Sequence, residues 1–301
     1  MAAQTNRRWI VTVIPYLWML VFFLVPFLIV LKISFSSTEI AQPPYSPVFD
    51  LINDVWADTL DKIQALQLDN YQRLFTDSIY IESYLSSLWI AGTSTVMMLF
   101  IAYPIAYGMA RAPKSIRPTL VMMVILPFWT SFLIRIYAWI SILSEEGLLN
   151  SLLLSVGLID EPIQILSTNT AVYIGILYSY LPFMVLPLYS TLEKMDESLI
   201  EAAKDLGATP FEAFWRVTFP ISIPGVIAGC FLVFIPAVGE FVIPDLLGGS
   251  ETVMIGKTMW EEFFNNRDWP AASAVAIALL IVLMIPIMIF QSNEARQQET
   301  R

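Results

Sequence analysis

Six apolar runs cross the chain, at about 10–31, 84–110, 119–143, 170–192, 222–246 and 271–290. A helix needs about 20 apolar residues to traverse the hydrocarbon core of a bilayer. The runs therefore predict an all-α integral membrane protein with six transmembrane helices in one domain over 1–301. Composition agrees, because 57% of residues are hydrophobic and only 14% are charged, whereas soluble domains carry about 25% charged residues. The first run follows Arg7 and Arg8, is too long for a signal-peptide core and lacks a small-residue cleavage pattern, so it reads as a retained span. Pro15, Pro26, Pro104, Pro127, Pro182, Pro187, Pro236, Pro244 and Pro286 fall within the runs and are expected to kink or break helices that a bundle re-satisfies.

Basic residues set the orientation. With the N-terminus inside, Arg7, Arg8, Arg111, Lys114, Arg117, Lys194, Lys204, Arg216, Arg296 and Arg301 are all cytoplasmic. Only Lys62, Arg73, Lys257 and Arg267 are then outside. Both termini are thus expected in the cytoplasm, with an outer segment at 33–83 and a cytoplasmic loop at 193–221. Sixteen acids against those four bases make the outer loops about −12, so the chain's net charge of −10 comes wholly from the outer face. A negative mouth concentrates cations, although depletion of outer bases by the positive-inside rule contributes to the same asymmetry. Within the outer segment, Gln42–Pro47 reads as extended, and the apolar spacing over 49–68 predicts an amphipathic surface helix.

Several chemistries are excluded. There is no histidine, and the single cysteine, Cys230, lies in an apolar run. A disulfide framework, a His-based metal site and a Ser-His or Cys-His nucleophile are therefore not available. No GxxxxGK[ST] phosphate loop is present, so the sequence shows no such nucleotide site of its own.

Charges inside membrane spans are functional candidates by default. Arg135 stands in WTSFLIRIYAW and Glu240 in IPAVGEFVIPDLLGG. At about 1.5 Å per residue, both fall in the outer part of the bilayer. Two readings stay open: a buried Arg135–Glu240 pair holding two spans together, or Glu240 facing a translocation path and receiving a cation. Pro236, Gly239 and Pro244 would break the helix around Glu240 and free carbonyls for a cation. Asp245 is a second acid nearer the mouth. Trp129, Tyr137, Trp139, Tyr178 and Tyr180 offer rings for cation–π contact, or form the interfacial belt. Before the last run, Asp268 reads as an N-cap with Pro270 in the first turn.

The charged island Glu201 to Pro220 lies between two apolar runs. Glu201, Ala202 and Ala203 favour helix, Gly207 marks a C-cap or turn, and Thr209 with Pro210 marks a second helix start. Pro220 is expected to close the island. Glu-Ala-Ala, three residues, Gly207, nine residues, then Val217, Phe219 and Pro220 resembles the EAA loop of ABC-importer permeases, with Val217 and Phe219 as conservative departures. LPFWTSFLIRIYAWISIL, YLPFMVLPLYSTLEKMD, IPAVGEFVIPDLLGG and EFFNNRDWPAASAVAIAL extend the resemblance to the polyamine branch. Gly239-Glu240-Phe241 points to its putrescine-type permease subunits.

The resemblance implies a type I ABC-importer permease fold with a cytoplasmic coupling helix, in which Glu201, Ala202, Ala203, Gly207 and Pro220 couple to an ATPase. It implies a bacterial inner membrane location and a non-enzymatic, pore-forming role. This chain would bind no cofactor; ATP and Mg would belong to the ATPase. The implied partners are a second permease, two ATPase subunits, a periplasmic polyamine-binding protein and membrane lipid, with no nucleic acid. The substrate implied is putrescine or spermidine; another small cationic or amino-acid-like solute is the alternative. A proton-coupled secondary transporter would want an internal repeat and a titratable relay, and neither is evident.

Overall fold

The computed structural model describes residues 12–50 and 56–299, with the side chains of 56–57 and 289–299 left aside. The described chain is almost wholly helical. In order it comprises α1 (Thr12–Ser34), a two-stranded hairpin of β1 (Ser37–Thr38) and β2 (Tyr45–Ser46), then α2 (Trp56–Gln64), α3 (Asp69–Thr76) and α4 (Ser78–Arg111). There follow α5 (Arg117–Trp129), α6 (Phe132–Leu143), α7 (Leu148–Ser155), α8 (Asn169–Glu193) and α9 (Ser198–Asp205). The remainder is α10 (Pro210–Val238), α11 (Val242–Leu246), α12 (Ile255–Trp260) and α13 (Trp269–Glu299).

Among the described residues, five helices are long and apolar enough to cross a membrane: α1, α4, α8, α10 and the Trp269–Met288 part of α13. The pair Arg117–Trp129 and Phe132–Ser155, bent by 87°, makes a sixth if it is one broken span. The third run, expected as a span over 119–143 that Pro127 would kink or break, is therefore interrupted. Pro127 sits in a tight 3-10 turn, and Thr130 and Ser131 are extended, with ψ of 152° and 136°. Those angles cannot continue a helical ladder.

The chain divides into two compact units, Met1–Ile81 with Thr258–Arg301, and Glu82–Lys257. In the first, α13 packs along α1, α3 and β1. Its start is fixed by Asp268, whose Oδ1 accepts from the Ala271 N–H at 3.0 Å, the cap expected from the sequence. The same carboxylate takes Arg73 Nη1 at 2.9 Å and the Thr38 hydroxyl at 2.6 Å. Glu262 takes the Tyr80 hydroxyl at 2.7 Å and Asn266 Nδ2 at 3.0 Å, with Arg73 Nη2 at 3.7 Å. Burial alone would lower the Arg73 pKa, but Tyr80, Glu262 and Asp268 outweigh it and hold the guanidinium above its ordinary value. The hairpin, α3 and the start of α4 are thereby tied to the start of the last span. Lys32 donates to the Pro47 carbonyl and lies over the Tyr45 ring at 4.4 Å. The stretch expected to be extended, Gln42–Pro47, contributes β2. The amphipathic helix expected at 49–68 is described only as Trp56–Gln64; residues 51–55 lie outside the described part.

In the second unit, α8 and α10 form the principal pair. Gly225 and Gly229 lie on the α10 face against Pro187, Thr191 and Met184 of α8. Small residues four apart let membrane helices approach closely, since packing rather than water drives their association. The Tyr103 hydroxyl and Ser222 Oγ share a hydrogen bond of 2.8 Å between α4 and α10. Near the C-terminal ends of α4 and α8, Arg111 pairs with Glu197 at 3.0 Å and Arg117 with Glu193 at 3.6 Å.

Pro220 does not end the island. The helix begins at Pro210 and runs to Val238, with a π-turn at Phe214–Thr218 just before the proline. The Phe219 N–H reaches back to the Phe214 carbonyl there, and the wider turn makes room for a ring that would crowd the preceding carbonyl in a regular helix.

Candidate functional site

Two places carry the sequence candidates. The first is the break that ends α10. Helix α10 stops at Val238 with Gly239 as C-cap, and α11 restarts at Val242. Glu240 stands in the gap, 8% exposed. Its Oε1 accepts from the N–H groups of Phe241, Val242 and Ile243 at 3.2, 3.0 and 3.4 Å. Its Oε2 accepts from the Tyr180 hydroxyl of α8. The carboxylate thus satisfies the donors that a broken membrane helix would otherwise leave without partners. No base lies within 4 Å of it among the described residues. A carboxylate oxygen has two lone pairs, so Oε2 retains capacity for a further donor beside Tyr180.

Gly256, which the sequence reading did not single out, permits this geometry. A Cβ there would lie 2.4 Å from the Gly239 carbonyl oxygen and 2.5 Å from that of Glu240. Any other residue would push the break away.

Of the two readings left open by the sequence, the Arg135–Glu240 pair does not form. Arg135, 9% exposed on α6, lies over Phe128 at 5.1 Å, Phe132 at 5.7 Å and Tyr178 at 6.0 Å. Its Nε and Nη1 are buried without hydrogen-bond partners. Each desolvated cation–π contact is worth up to about 2 kcal/mol, which offsets part of the cost of those two donors. The physical reason for the separation is rotational. Arg135 and Glu240 engage Tyr178 and Tyr180, which leave α8 about 200° apart at 3.6 residues per turn.

The other candidates divide accordingly. Trp139 packs its edge on Tyr178 at 5.4 Å, so both rings belong to the Arg135 cluster. Trp129 and Tyr137 are exposed, and neither makes a ring contact among the described residues. Asp245 is exposed and pairs with Lys257 at 3.6 Å, which takes it out of the Glu240 site. Phe183, absent from the sequence candidates, sits between Tyr180 at 6.0 Å and Phe128 at 5.3 Å. Its i+3 spacing from Tyr180 was the available signal.

The second place is the island. Helix α9 ends in a Schellman turn: the Gly207 N–H donates to Lys204 O at 2.8 Å, and the Ala208 N–H to Ala203 O at 3.0 Å. Gly207 has φ of +85°, the left-handed region that glycine alone enters without cost. Thr209 then caps α10, with Glu212 N–H to Thr209 Oγ1 at 3.3 Å and Thr209 N–H to Glu212 Oε2 at 2.9 Å. The Thr209 N–H and the Thr209 hydroxyl, which also donates to Glu212 Oε2 at 3.0 Å, hold the Glu212 carboxyl below its ordinary pKa. Glu201, Ala202, Gly207 and Pro220 are exposed and Ala203 is half-buried. Leu206 is 88% and Phe211 72% exposed, so the helix–turn–helix presents an apolar surface framed by charge.

A model of the family described as the binding-protein-dependent transport system inner membrane component matches residues 1–296. The chain belongs to this family. It is 40% identical over 281 residues to the spermidine/putrescine transport system permease protein PotB of Haemophilus influenzae, covering 93% of this chain and 92% of the relative. It is 47% identical over 223 residues to PotB of Escherichia coli strain K12, covering 74% and 81%. Among solved structures, a bacterial ABC transporter involved in the import of the acidic polysaccharide alginate superposes with a TM-score of 0.70. That match covers 98% of both chains at 17% identity. A second alginate transporter structure, in complex with alginate pentasaccharide-bound periplasmic protein, gives 0.71 over 99% and 97% at 17% identity. The fold of this binding-protein-dependent transport component is thus that of an ABC-importer permease, and its part is transport.

Proposed function

We propose that the chain is a permease subunit of an ATP-driven importer of polyamines. The observation that carries the reading is its 40% identity, over nearly its full length, to a permease named for spermidine and putrescine. The Glu240 site supports it. A carboxylate at a broken span, with no basic partner and a free lone pair beside a tyrosine hydroxyl, is suited to a primary ammonium group. Both polyamines fit that chemistry, and putrescine is the finer proposal because it rests on Glu240 alone.

In this reading, a companion permease completes the pathway and a periplasmic binding protein delivers substrate to the acidic outer face. Two ATPase subunits carry ATP and Mg. They engage the Glu201–Pro220 helix–turn–helix, whose exposed Leu206 and Phe211 suit an apolar groove. Both termini lie in the cytoplasm, consistent with the lysine and arginine distribution. ATPase closure draws the island inward, the spans open outward, and the ammonium passes Tyr180 and Glu240 by exchange with the tyrosine hydroxyl. A site meant to release its cargo grips it weakly. Uptake of labelled putrescine and spermidine by the assembled transporter tests the assignment. ATP-dependent uptake of either is the expected result, and uptake of neither overturns it.

A further inference from the structure

Arg135 occupies an unusual position in the second unit. Phe128 lies on one side of the 87° bend and Phe132 on the other, and the guanidinium covers both rings as well as Tyr178 of α8. No acid pairs with it among the described residues, and two of its N–H groups have no acceptor. Its contacts are therefore with rings, and those rings belong to both arms of the broken span. From Phe128 the contact series continues: Phe183 meets it edge-on at 5.3 Å with planes at 85°, and Tyr180 follows at 6.0 Å. Tyr180 donates to Glu240. An unbroken line of side chains thus joins the elbow to the carboxylate.

We propose that Arg135 is a positioning residue: it clamps the elbow between α5 and α6, and Phe128 and Phe183 carry that position to the Tyr180–Glu240 pair. The inference rests on the polyamine reading only for what Glu240 binds; the clamp itself does not. A planar guanidinium can lie on several ring faces at once, whereas an ammonium is a point charge. A neutral side chain of similar length has no attraction to the rings beyond packing.

The test uses the full transporter reconstituted with its companion chains, in a Cys230→Ala background. Spin labels at Met123 and Ile134, both exposed on their own arms, report the elbow distance. Uptake kinetics report the site. Arg135→Met is expected to broaden the distance distribution and raise KM about tenfold, with Vmax held within about twofold. Arg135→Lys is expected to recover part of both effects. Phe183→Leu, which leaves the guanidinium in place, is expected to keep the elbow narrow while raising KM. Combined with Arg135→Met it should add little further, the coupling that a shared line requires. Should Arg135→Met fail to assemble, Phe128→Leu carries the same comparison. An unchanged elbow in Arg135→Met or Phe128→Leu overturns the clamp. A broadened elbow with wild-type KM, or a wild-type KM in Phe183→Leu, overturns the transmission. If the wild-type transporter moves no polyamine, the substrate reading fails while the elbow distances still decide the clamp.

Discussion

Tyr178 and Tyr180 stand two residues apart on α8 and serve opposite charges. The ring of Tyr178 lies under the Arg135 guanidinium at 6.0 Å, and the hydroxyl of Tyr180 donates to the Glu240 carboxylate. One helix thus keeps a buried base and a buried acid apart, each in contact with a different part of an aromatic residue. Among the described residues no base lies beside the acid, the condition a cation site requires. The base is shielded by rings instead of being neutralised.

Replacing Glu240 with Gln keeps the size of the side chain and an oxygen for the α11 amides but removes the charge. Hydrogen bonds to a charged partner contribute about 1.5–3 kcal/mol, so uptake efficiency for putrescine should fall at least about tenfold. Tyr180→Phe removes only the neutral donor and should cost less. Labelled uptake at matched membrane levels, with ATPase activity of the assembled complex as control, reads both. Equal loss of assembly and uptake in Glu240→Gln would make the residue a helix cap alone.

Gly256→Ala should impair the same site without touching a charge. Its new Cβ would fall 2.4 Å from the Gly239 carbonyl oxygen, well inside van der Waals contact, and neither backbone can yield without moving the break. We expect a loss of uptake comparable to Glu240→Gln, with membrane levels reduced less than twofold. Wild-type kinetics for this variant would show that the break tolerates displacement and that Glu240 is not held in a defined place.

Gly207 tests the coupling role of the island. Alanine at φ of +85° carries a strain of about 1–2 kcal/mol, and aspartate adds a charge to the turn. Gly207→Asp should leave insertion intact while lowering the uptake obtained per ATP hydrolysed, with Gly207→Ala intermediate. The ratio of uptake to hydrolysis in proteoliposomes is the measurement. A normal ratio in both variants would remove this turn from the ATPase interface.

The spans and the island were legible because their signals are local: about 20 apolar residues for a crossing, and a glycine followed by Thr-Pro for a helix–turn–helix. The break at Gly239–Phe241 was legible too, from Pro236, Gly239 and Pro244, but the full stop at Thr130–Ser131 with its 87° bend was not. Proline occurs in nearly every run, and whether a given one breaks its helix depends on what the neighbouring helices offer the freed amides. Pro182 and Pro187 sit inside a continuous α8. The Arg135–Glu240 relationship stayed open between a pair and a path-facing acid for a related reason. Rise per residue gives depth in the bilayer but not the direction a side chain faces, so two charges at similar depth were free to be on different sides of α8. The exact spacing of Gly225 and Gly229 was in the sequence, but the facing residues Met184, Pro187 and Thr191 came only with the fold.

The capping box at Thr209 has a pH signature. The Glu212 carboxyl is held below its ordinary value by the Thr209 N–H and hydroxyl. Its contribution is therefore complete above the ordinary carboxylate range and is lost as pH falls through the depressed folded-state value. Amide exchange of Thr209, Glu212 and Ala213, corrected for intrinsic rate, should rise as pH drops from about 5 toward about 3. Thr209→Ala should raise it at all pH values, by the roughly 1 kcal/mol typical of a lost N-cap. Exchange that is flat with pH in the wild type would mean that the cap does not hold the start of α10.

The α8–α10 pair makes the sharpest distinction between two similar substitutions. A Cβ at 225 would meet the Pro187 carbonyl oxygen at 2.9 Å and Thr191 Oγ1 at 2.6 Å, whereas one at 229 would first meet Met184 Sδ at 2.7 Å. The backbone carbonyl cannot step aside, and the Thr191 hydroxyl is held by that same carbonyl at 3.0 Å. Methionine is flexible and refills space readily, and the Met184 carbonyl oxygen is 3.2 Å away, a strain that a small shift relieves. Gly225→Ala should therefore lower the thermal midpoint of the detergent-solubilised complex by several degrees, with an overpacking cost of about 1–3 kcal/mol. Gly229→Ala should lower it by less than half as much. Because the two helices share one interface, the double variant should cost less than the sum. If Gly229→Ala were the more damaging, the closest approach of α8 and α10 would lie a turn nearer the Glu240 break than the structure places it.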